Sequence, residues 1–205
     1  MARPVLRKNV DLRRLGWKGA IAFCAVLLTG VAACAADPSE RVYIDRFAGV
    51  MTQNRWHDVF DPSRVQLADS ILLGVGIGWQ RQIAQSRFHF GIEVQAVAHA
   101  GRQDHFEFNL PVVLRYVPRR PFPRQLKSAA FALGLSHATK VPQVELDRTG
   151  ESQRTFAYWF GELEFSLPDP QNSLFLRLHH RSDAYGFFDA DSGSTAVTFG
   201  LRVPF

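Results

Sequence analysis

The sequence predicts an all-β protein, an eight-stranded antiparallel β-barrel that crosses a membrane. Apolar and polar residues alternate in segments long enough to cross a bilayer at a tilt. The polar face of these segments carries glycine, glutamine and charges of both signs, which suits the filled interior of a small barrel. A soluble sandwich would instead bury the aromatic face and hydrate the polar one. Aromatic residues also gather at the segment ends, as in an interfacial girdle: Trp79, Phe88, Phe106, Tyr116 and Trp159.

The first 36 residues are predicted to be a cleaved secretory signal, so the barrel domain is expected to span residues 37–205. A basic stretch precedes an apolar run from Gly19 to Ala36 that closes in small residues. A membrane anchor is the alternative, but the run is slightly short and polar residues follow it at once.

Cysteine and charge usage excludes several classes of protein. Cys24 and Cys34 both lie in the predicted signal, so the mature chain offers no disulfide and no cysteine-based metal site. Cys34 is either a small residue near the cleavage site, which we favour, or the lipidated residue of a lipoprotein signal. The net charge of +5 comes from six basic residues before residue 20, against one acidic residue. The remainder is close to neutral, so no nucleic-acid partner is expected.

The alternation sets the predicted strands in order. The first, at 42–51, is the least regular. In the second, Ile71 and Leu73 lie on one face while Gly74 and Gly76 lie on the other. The remaining strands are predicted at 87–97, 105–116, 128–137, 157–167, 174–179 and 194–205.

The connections between these strands fit a barrel with both termini in the periplasm. Turns after even strands are short, near 82–85, 117–126 and 168–172. Outward loops are longer and more polar, near 52–69, 139–152 and 183–193, with a short exception at 99–104. The last strand ends on Phe205, and a terminal aromatic resembles the signal read by the barrel-assembly machinery. We therefore expect that machinery as a partner and the bacterial outer membrane as the location.

Candidate chemistry lies at the end of the seventh strand. Period two places His180 and Ser182 on the lipid-facing side with Leu174, Leu176 and Leu178. That strand runs outward, so both residues are expected at the level of the polar part of lipopolysaccharide. Side chains at i and i+2 approach closely enough for an imidazole to take a serine proton.

This His-x-Ser on the penultimate strand resembles that of the lipid A 3-O-deacylases, outer-membrane barrels that remove an acyl chain from lipid A. The resemblance implies His180 as base, Ser182 as nucleophile, lipopolysaccharide as partner and an acidic third residue on the last strand. Where the family has asparagine after the serine, this chain has Asp183, whose charge would repel an oxyanion. Where the acid is expected, this chain has Thr195.

Substitutes for the missing groups are predicted nearby. Asp191 or Asp189, in the preceding loop, is a candidate for orienting the histidine. Backbone amides from Asp183 to Gly186 are the candidate oxyanion donors. The competing hypothesis is a non-catalytic structural, adhesive or lipid-binding barrel.

The other polar residues predict no further chemistry. The histidines at 57, 89, 99, 105 and 137 show no metal-ligand spacing, and His179 is expected to join the lumen. No cofactor is implied, and no phosphate-binding loop is present. Charged residues on the polar faces are expected to pair inside the barrel: Glu93, Glu107, Glu162 and Glu164 with Arg87, Arg115, Arg177 and Arg202.

Overall fold

The computed structural model describes residues 39–61, 63–120, 123–169 and 171–204. These residues form eight antiparallel strands in chain order, and the last pairs with the first to close the barrel. The predicted fold class is therefore confirmed. The predicted signal and Phe205 lie outside the described residues. The strands are β1 (Glu40–Thr52), β2 (Leu67–Gln82), β3 (Phe88–Gly101), β4 (Phe106–Tyr116), β5 (Leu126–Ala138), β6 (Thr155–Ser166), β7 (Ser173–Ser182) and β8 (Gly193–Pro204).

The two faces of the barrel wall differ sharply in polarity. Along β4, exposed and buried residues alternate without a break. Large apolar side chains are exposed on the outside, among them Phe106, Leu110, Leu133 and Phe199. This much apolar surface is stable only against hydrocarbon, because water would penalise its exposure. No helix in the described part of the chain is both long and apolar enough to cross a membrane.

Glycines on the inner face of β2 make room for aromatic rings of β1. A Cβ on Gly74 would lie 2.2 Å from the ring of Phe47, and one on Gly78 would lie 2.1 Å from the ring of Tyr43. Real Cβ atoms do not approach this closely, so these two glycines of β2 make room for the rings of the residues paired with them on the adjacent strand.

An ionic network fills the periplasmic half of the lumen. Arg177 lies within 3.0 Å of carboxylate oxygens of Asp45, Glu93 and Glu162. Arg115 on β4 and Arg202 on β8, each two strands away from β6, both contact Glu162 and Glu164, and Arg202 also contacts Asp45. The predicted pairing of buried charges is confirmed for these residues.

Two members of the predicted set lie elsewhere. Arg87 donates a hydrogen bond to the Tyr116 hydroxyl in an exposed position, outside the lumen. Glu107 contacts two histidines, His99 and His179, and has no arginine partner among the described residues.

The outer end of the lumen is occupied by a short helix, α1 (Gln143–Thr149), in the loop after β5. Glu145 of this helix is fully buried, 2.7 Å from Arg181 Nε on β7, and it accepts a hydrogen bond from Ser194 on β8. Val144 packs in an apolar cluster that includes Phe47. The helix therefore inserts among strand ends on the side opposite the termini, which is the extracellular side for a barrel of this kind.

Candidate active site at the outer end of β7

A histidine on β7 and a threonine on β8 face each other on the outward side of the barrel wall. His180 pairs with Thr195 in the sheet register. The Nδ1 atom of His180 lies 2.9 Å from Thr195 Oγ1, at hydrogen-bonding distance. This contact orients the imidazole. In the tautomer in which Nδ1–H donates to the Thr195 hydroxyl, Nε2 is the nitrogen that could accept a proton from a serine. Thr195 thus occupies the position at which the resemblance to the lipid A 3-O-deacylases implies an acid.

The site is more enclosed than the sequence indicates. The prediction that His180 lies on the outer face holds, but only 5% of the residue is exposed, and Thr195 is fully buried. The Trp159 ring of β6 lies 4.8 Å from the His180 ring, and Trp56 packs edge-on against Trp159. Trp56 begins a short 3-10 helix, Trp56–Phe60, in the connection between β1 and β2. Two indole rings therefore shield the histidine from its surroundings.

Ser182 lies two residues beyond His180 at the very end of β7. It is half-buried, and its Oγ atom lies 3.5 Å from the backbone nitrogen of Ala184. Opposite Ser182 in the register is Gly193, where a Cβ would lie 3.1 Å from the Ser182 Cβ atom. The glycine leaves room beside the serine. Among the described residues there is no hydrogen bond between His180 and Ser182. The two residues are therefore neighbours on one face of β7 that do not bond to each other in this conformation.

The segment after the serine forms a tight turn that uses the predicted oxyanion donors. Gly186 donates its backbone N–H to the Asp183 carboxylate at 2.7 Å, and Asp183 donates its own N–H to the Ser192 carbonyl at 3.0 Å. Ala184 and Tyr185 both have positive φ, of 53° and 58°, a conformation uncommon for residues with side chains. In this conformation the amides of Asp183 and Gly186 already have acceptors, so their use as oxyanion donors requires the turn to rearrange and stays a prediction.

The predicted orienting acids do not contact the histidine. Asp189 and Asp191 are exposed, and neither bonds to His180 in the described part of the chain. The Nδ1 position that such an acid would occupy belongs to Thr195. The sequence pattern had identified Thr195 as a departure, and the structure gives it the orienting contact.

His179, by contrast, lies in the lumen as predicted. Its Nε2 atom is 3.0 Å from Glu107 Oε1, and its Nδ1 atom is 3.0 Å from the Tyr158 hydroxyl. The residue is buried and belongs to the polar core of the barrel.

A second cluster of polar side chains was missed by the sequence analysis. His99, His105 and Glu107 each place a ligand atom within 4.8 Å of the others, and all three are buried. Linear spacing gave no indication of this group. The pairing of the β3–β4 hairpin does indicate it. Ala98 pairs with Phe106, so the next pair toward the turn is His99 with His105.

Comparisons with known proteins bear on the fold. No protein-family model and no curated protein matches the sequence. The solved structure of the outer membrane enzyme PagL is similar with a TM-score of 0.54, covering 80% of this chain and 99% of that chain at 13% sequence identity.

A second solved structure is that of Ail, the attachment invasion locus protein of Yersinia pestis, in complex with the heparin analogue sucrose octasulfate. It gives a TM-score of 0.45 at 11% identity and covers 81% of this chain and 98% of that chain. The PagL comparison supports the fold, which the strand order and the apolar outer face establish independently. The chain is an eight-stranded β-barrel of the outer-membrane type.

Proposed function

We propose that this barrel is a serine ester hydrolase that removes an acyl chain from lipid A in the outer leaflet. Ser182 is the nucleophile and His180 is the general base. Thr195, rather than Asp191, orients the imidazole. The observation that carries the proposal is the 2.9 Å contact between His180 Nδ1 and Thr195 Oγ1, because it fixes a histidine beside a serine at the outer end of the barrel wall.

The proposed reaction uses the hydroxyl of Ser182 and the Nε2 atom of His180. Ser182 Oγ attacks the carbonyl carbon of the ester while its proton passes to His180 Nε2. The proton then goes to the departing sugar oxygen, the ester bond breaks, and the acyl chain stays on Ser182. Water, deprotonated by the same histidine, hydrolyses the acyl-serine and restores the hydroxyl. No metal or cofactor takes part in this sequence of steps.

Thr195 can replace only part of what a carboxylate would contribute to His180. A hydroxyl can hold the ring in one orientation, but it carries no charge to stabilise the imidazolium formed during the attack. The proposal therefore describes a slow enzyme. It also requires the Asp183–Gly186 turn to release a backbone N–H, because an oxyanion needs donors at about 2.7–3.1 Å.

The outer end of the wall is a suitable place for such a substrate. Lipid A lies in the outer leaflet, level with the outer ends of β7 and β8. PagL, which shares the fold, is described as an outer membrane enzyme. At 13% identity that likeness extends only to the fold, so the proposed activity depends on His180, Ser182 and Thr195 of this chain.

A non-catalytic lipid-binding or adhesive barrel is the second candidate. Two observations favour it: the amides of Asp183 and Gly186 are engaged, and Trp56 and Trp159 shield the histidine. In this alternative, His180 and Thr195 are structural, and the outer loops carry the function.

Mass spectrometry of lipid A separates the two candidates. The chain is expressed in a host whose lipid A carries ester-linked acyl chains, alongside Ser182→Ala and His180→Ala. His137→Ala serves as the control, because His137 is an exposed histidine on β5, two strands away from β7. Folding of each variant is checked by heat-modifiable gel mobility.

The proposal expects lipid A to lose one acyl mass with wild type and with His137→Ala, and to stay intact with the other two variants. Unchanged lipid A from a folded wild-type barrel would overturn the enzyme proposal and favour the second candidate.

A further inference from the structure

The β3–β4 hairpin brings two histidine rings into direct contact inside the lumen. The rings of His99 and His105 stack with centroids 4.4 Å apart and an interplanar angle of 14°. Glu107, two residues after His105 on the same inner face, lies 3.0 Å from His99 Nε2. His99, His105 and Glu107 are each at most 6% exposed. The hairpin therefore presents two imidazoles and a carboxylate to one small volume.

One atom of this group has no partner. His105 Nε2 is buried and makes no hydrogen bond within the described part of the chain, whereas His99 uses both ring nitrogens, Nε2 toward Glu107 and Nδ1 toward Gln103. Buried polar atoms in folded proteins are almost always satisfied, and an unsatisfied one calls for a water or an ion. The orphaned nitrogen is an observation separate from the clustering, and both point to the same missing ligand.

The donor set fits one class of ion. Imidazole nitrogens and a carboxylate are ligands that suit zinc and related divalent transition metals, and two histidines with one glutamate form a known zinc-binding combination. Outer groups that orient metal ligands are present as well. Gln103 holds His99, and His179 lies 3.0 Å from the second oxygen of Glu107.

We propose that His99, His105 and Glu107 form a binding site for a divalent transition metal, with Zn²⁺ as the best match, at the outer end of the lumen. The ligand atoms, now up to 4.8 Å apart, must draw closer, since tetrahedral bonds of about 2.1 Å place ligands about 3.4 Å apart. An imidazole binds a metal in the plane of its ring, so the two stacked rings must also tilt relative to one another. The His105 carbonyl accepts a hydrogen bond from the His99 N–H, so this change falls to rotation of the side chains. The Glu107–His99 hydrogen bond is exchanged for two bonds to the metal.

The metal would hold together the elements at the extracellular end of the lumen. Gln103 accepts a hydrogen bond from the backbone N–H of Val144, which links the hairpin to α1. Fixing His99 and His105 on one ion therefore also fixes the position of α1 over the lumen. The metal would come from outside the cell, because the hairpin lies on the side opposite the termini.

Zinc titration of the refolded, tag-free barrel tests the proposal by isothermal calorimetry. Wild type is expected to bind one equivalent of Zn²⁺, with release by a chelator. His105→Phe keeps the ring and its stacking but removes the nitrogen, so binding should weaken about 100-fold or more. His137→Ala, which removes an outward-facing histidine, should bind like wild type.

Absence of Zn²⁺ binding by the folded wild type, or equal binding by His105→Phe, would overturn the site. Should His105→Phe fail to fold, Co²⁺ substitution in wild type decides the question. Intense visible absorption from a low-coordinate nitrogen and oxygen site supports the proposal, and the weak spectrum of the hydrated ion refutes it. Neither experiment depends on the proposed esterase, since His180 and Ser182 are not ligands.

Discussion

Replacing Arg177 by methionine is expected to destabilise the folded barrel by about 3–5 kcal/mol, the cost of breaking a buried ion pair. The guanidinium is fully buried and lies within 3.0 Å of carboxylates of Asp45, Glu93 and Glu162. Asp45 and Glu162 keep Arg202 as a partner at 2.7–2.8 Å when Arg177 is lost. Glu93 has no second arginine among the described residues, so most of the loss should arise from its unpaired charge.

A double variant tests that assignment. Adding Glu93→Gln to Arg177→Met removes the unpaired charge. The amide oxygen can still accept from Gln95, and the NH2 group faces the Tyr43 hydroxyl, which then accepts instead of donating, so most of the stability should return. The matched control is Arg64→Met. Arg64 pairs with Asp61 in an exposed loop, where an ion pair contributes about 0–1 kcal/mol.

The assay is urea unfolding of the barrel refolded in lipid vesicles, followed by tryptophan fluorescence. A loss below about 1 kcal/mol for Arg177→Met would refute the reasoning. So would a double variant as unstable as the single one, because the penalty would then not come from Glu93.

Three further predictions concern the candidate active site. Thr195→Glu should raise ester hydrolysis by up to about 10³-fold by supplying a charge to stabilise protonated His180, and unchanged rates in a folded variant would show that His180 is not the base. Asp183→Asn should raise the rate of ester hydrolysis several-fold, because a neutral side chain holds the Gly186 amide more weakly and no longer repels an oxyanion. Hydrolysis no faster than that of wild type would show that the Asp183 carboxylate is not an obstacle to the reaction. Trp56→Ala should increase the accessibility of His180 to diethylpyrocarbonate by uncovering Trp159, and equal modification of wild type and variant would mean that Trp56 does not shield the site.

Much of the fold could be predicted because the alternation reports directly on the two faces of the barrel wall. All eight predicted strands correspond to observed ones, and the short loop predicted at 99–104 is the tight β3–β4 connection. The boundaries were less accurate at β3, where the prediction ended at 97 and the strand continues to Gly101. Helix α1 was not predicted, because its seven residues lie in a segment interpreted as an outward loop.

The site could be predicted only as far as local spacing reaches. The two-residue alternation of the strand placed His180 and Ser182 on one face. The resemblance to the lipid A 3-O-deacylases singled out Thr195 as the residue at the place of the expected acid. The cover from Trp56 depends on a contact between the β1–β2 connection and β6, which no local pattern reports. The engaged amide of Gly186 depends on the turn geometry and not on residue type.

Covalent labelling of the purified, folded barrel tests the central claim most directly. A long-chain alkyl fluorophosphonate reacts with serines activated by a neighbouring base and resembles an acyl chain. The account predicts one adduct, located on Ser182 by peptide mass spectrometry, that is absent from His180→Ala and unaffected by His137→Ala. An unlabelled Ser182 in a folded wild-type barrel, or equal labelling of His180→Ala, would contradict the claim that His180 and Ser182 form a catalytic pair.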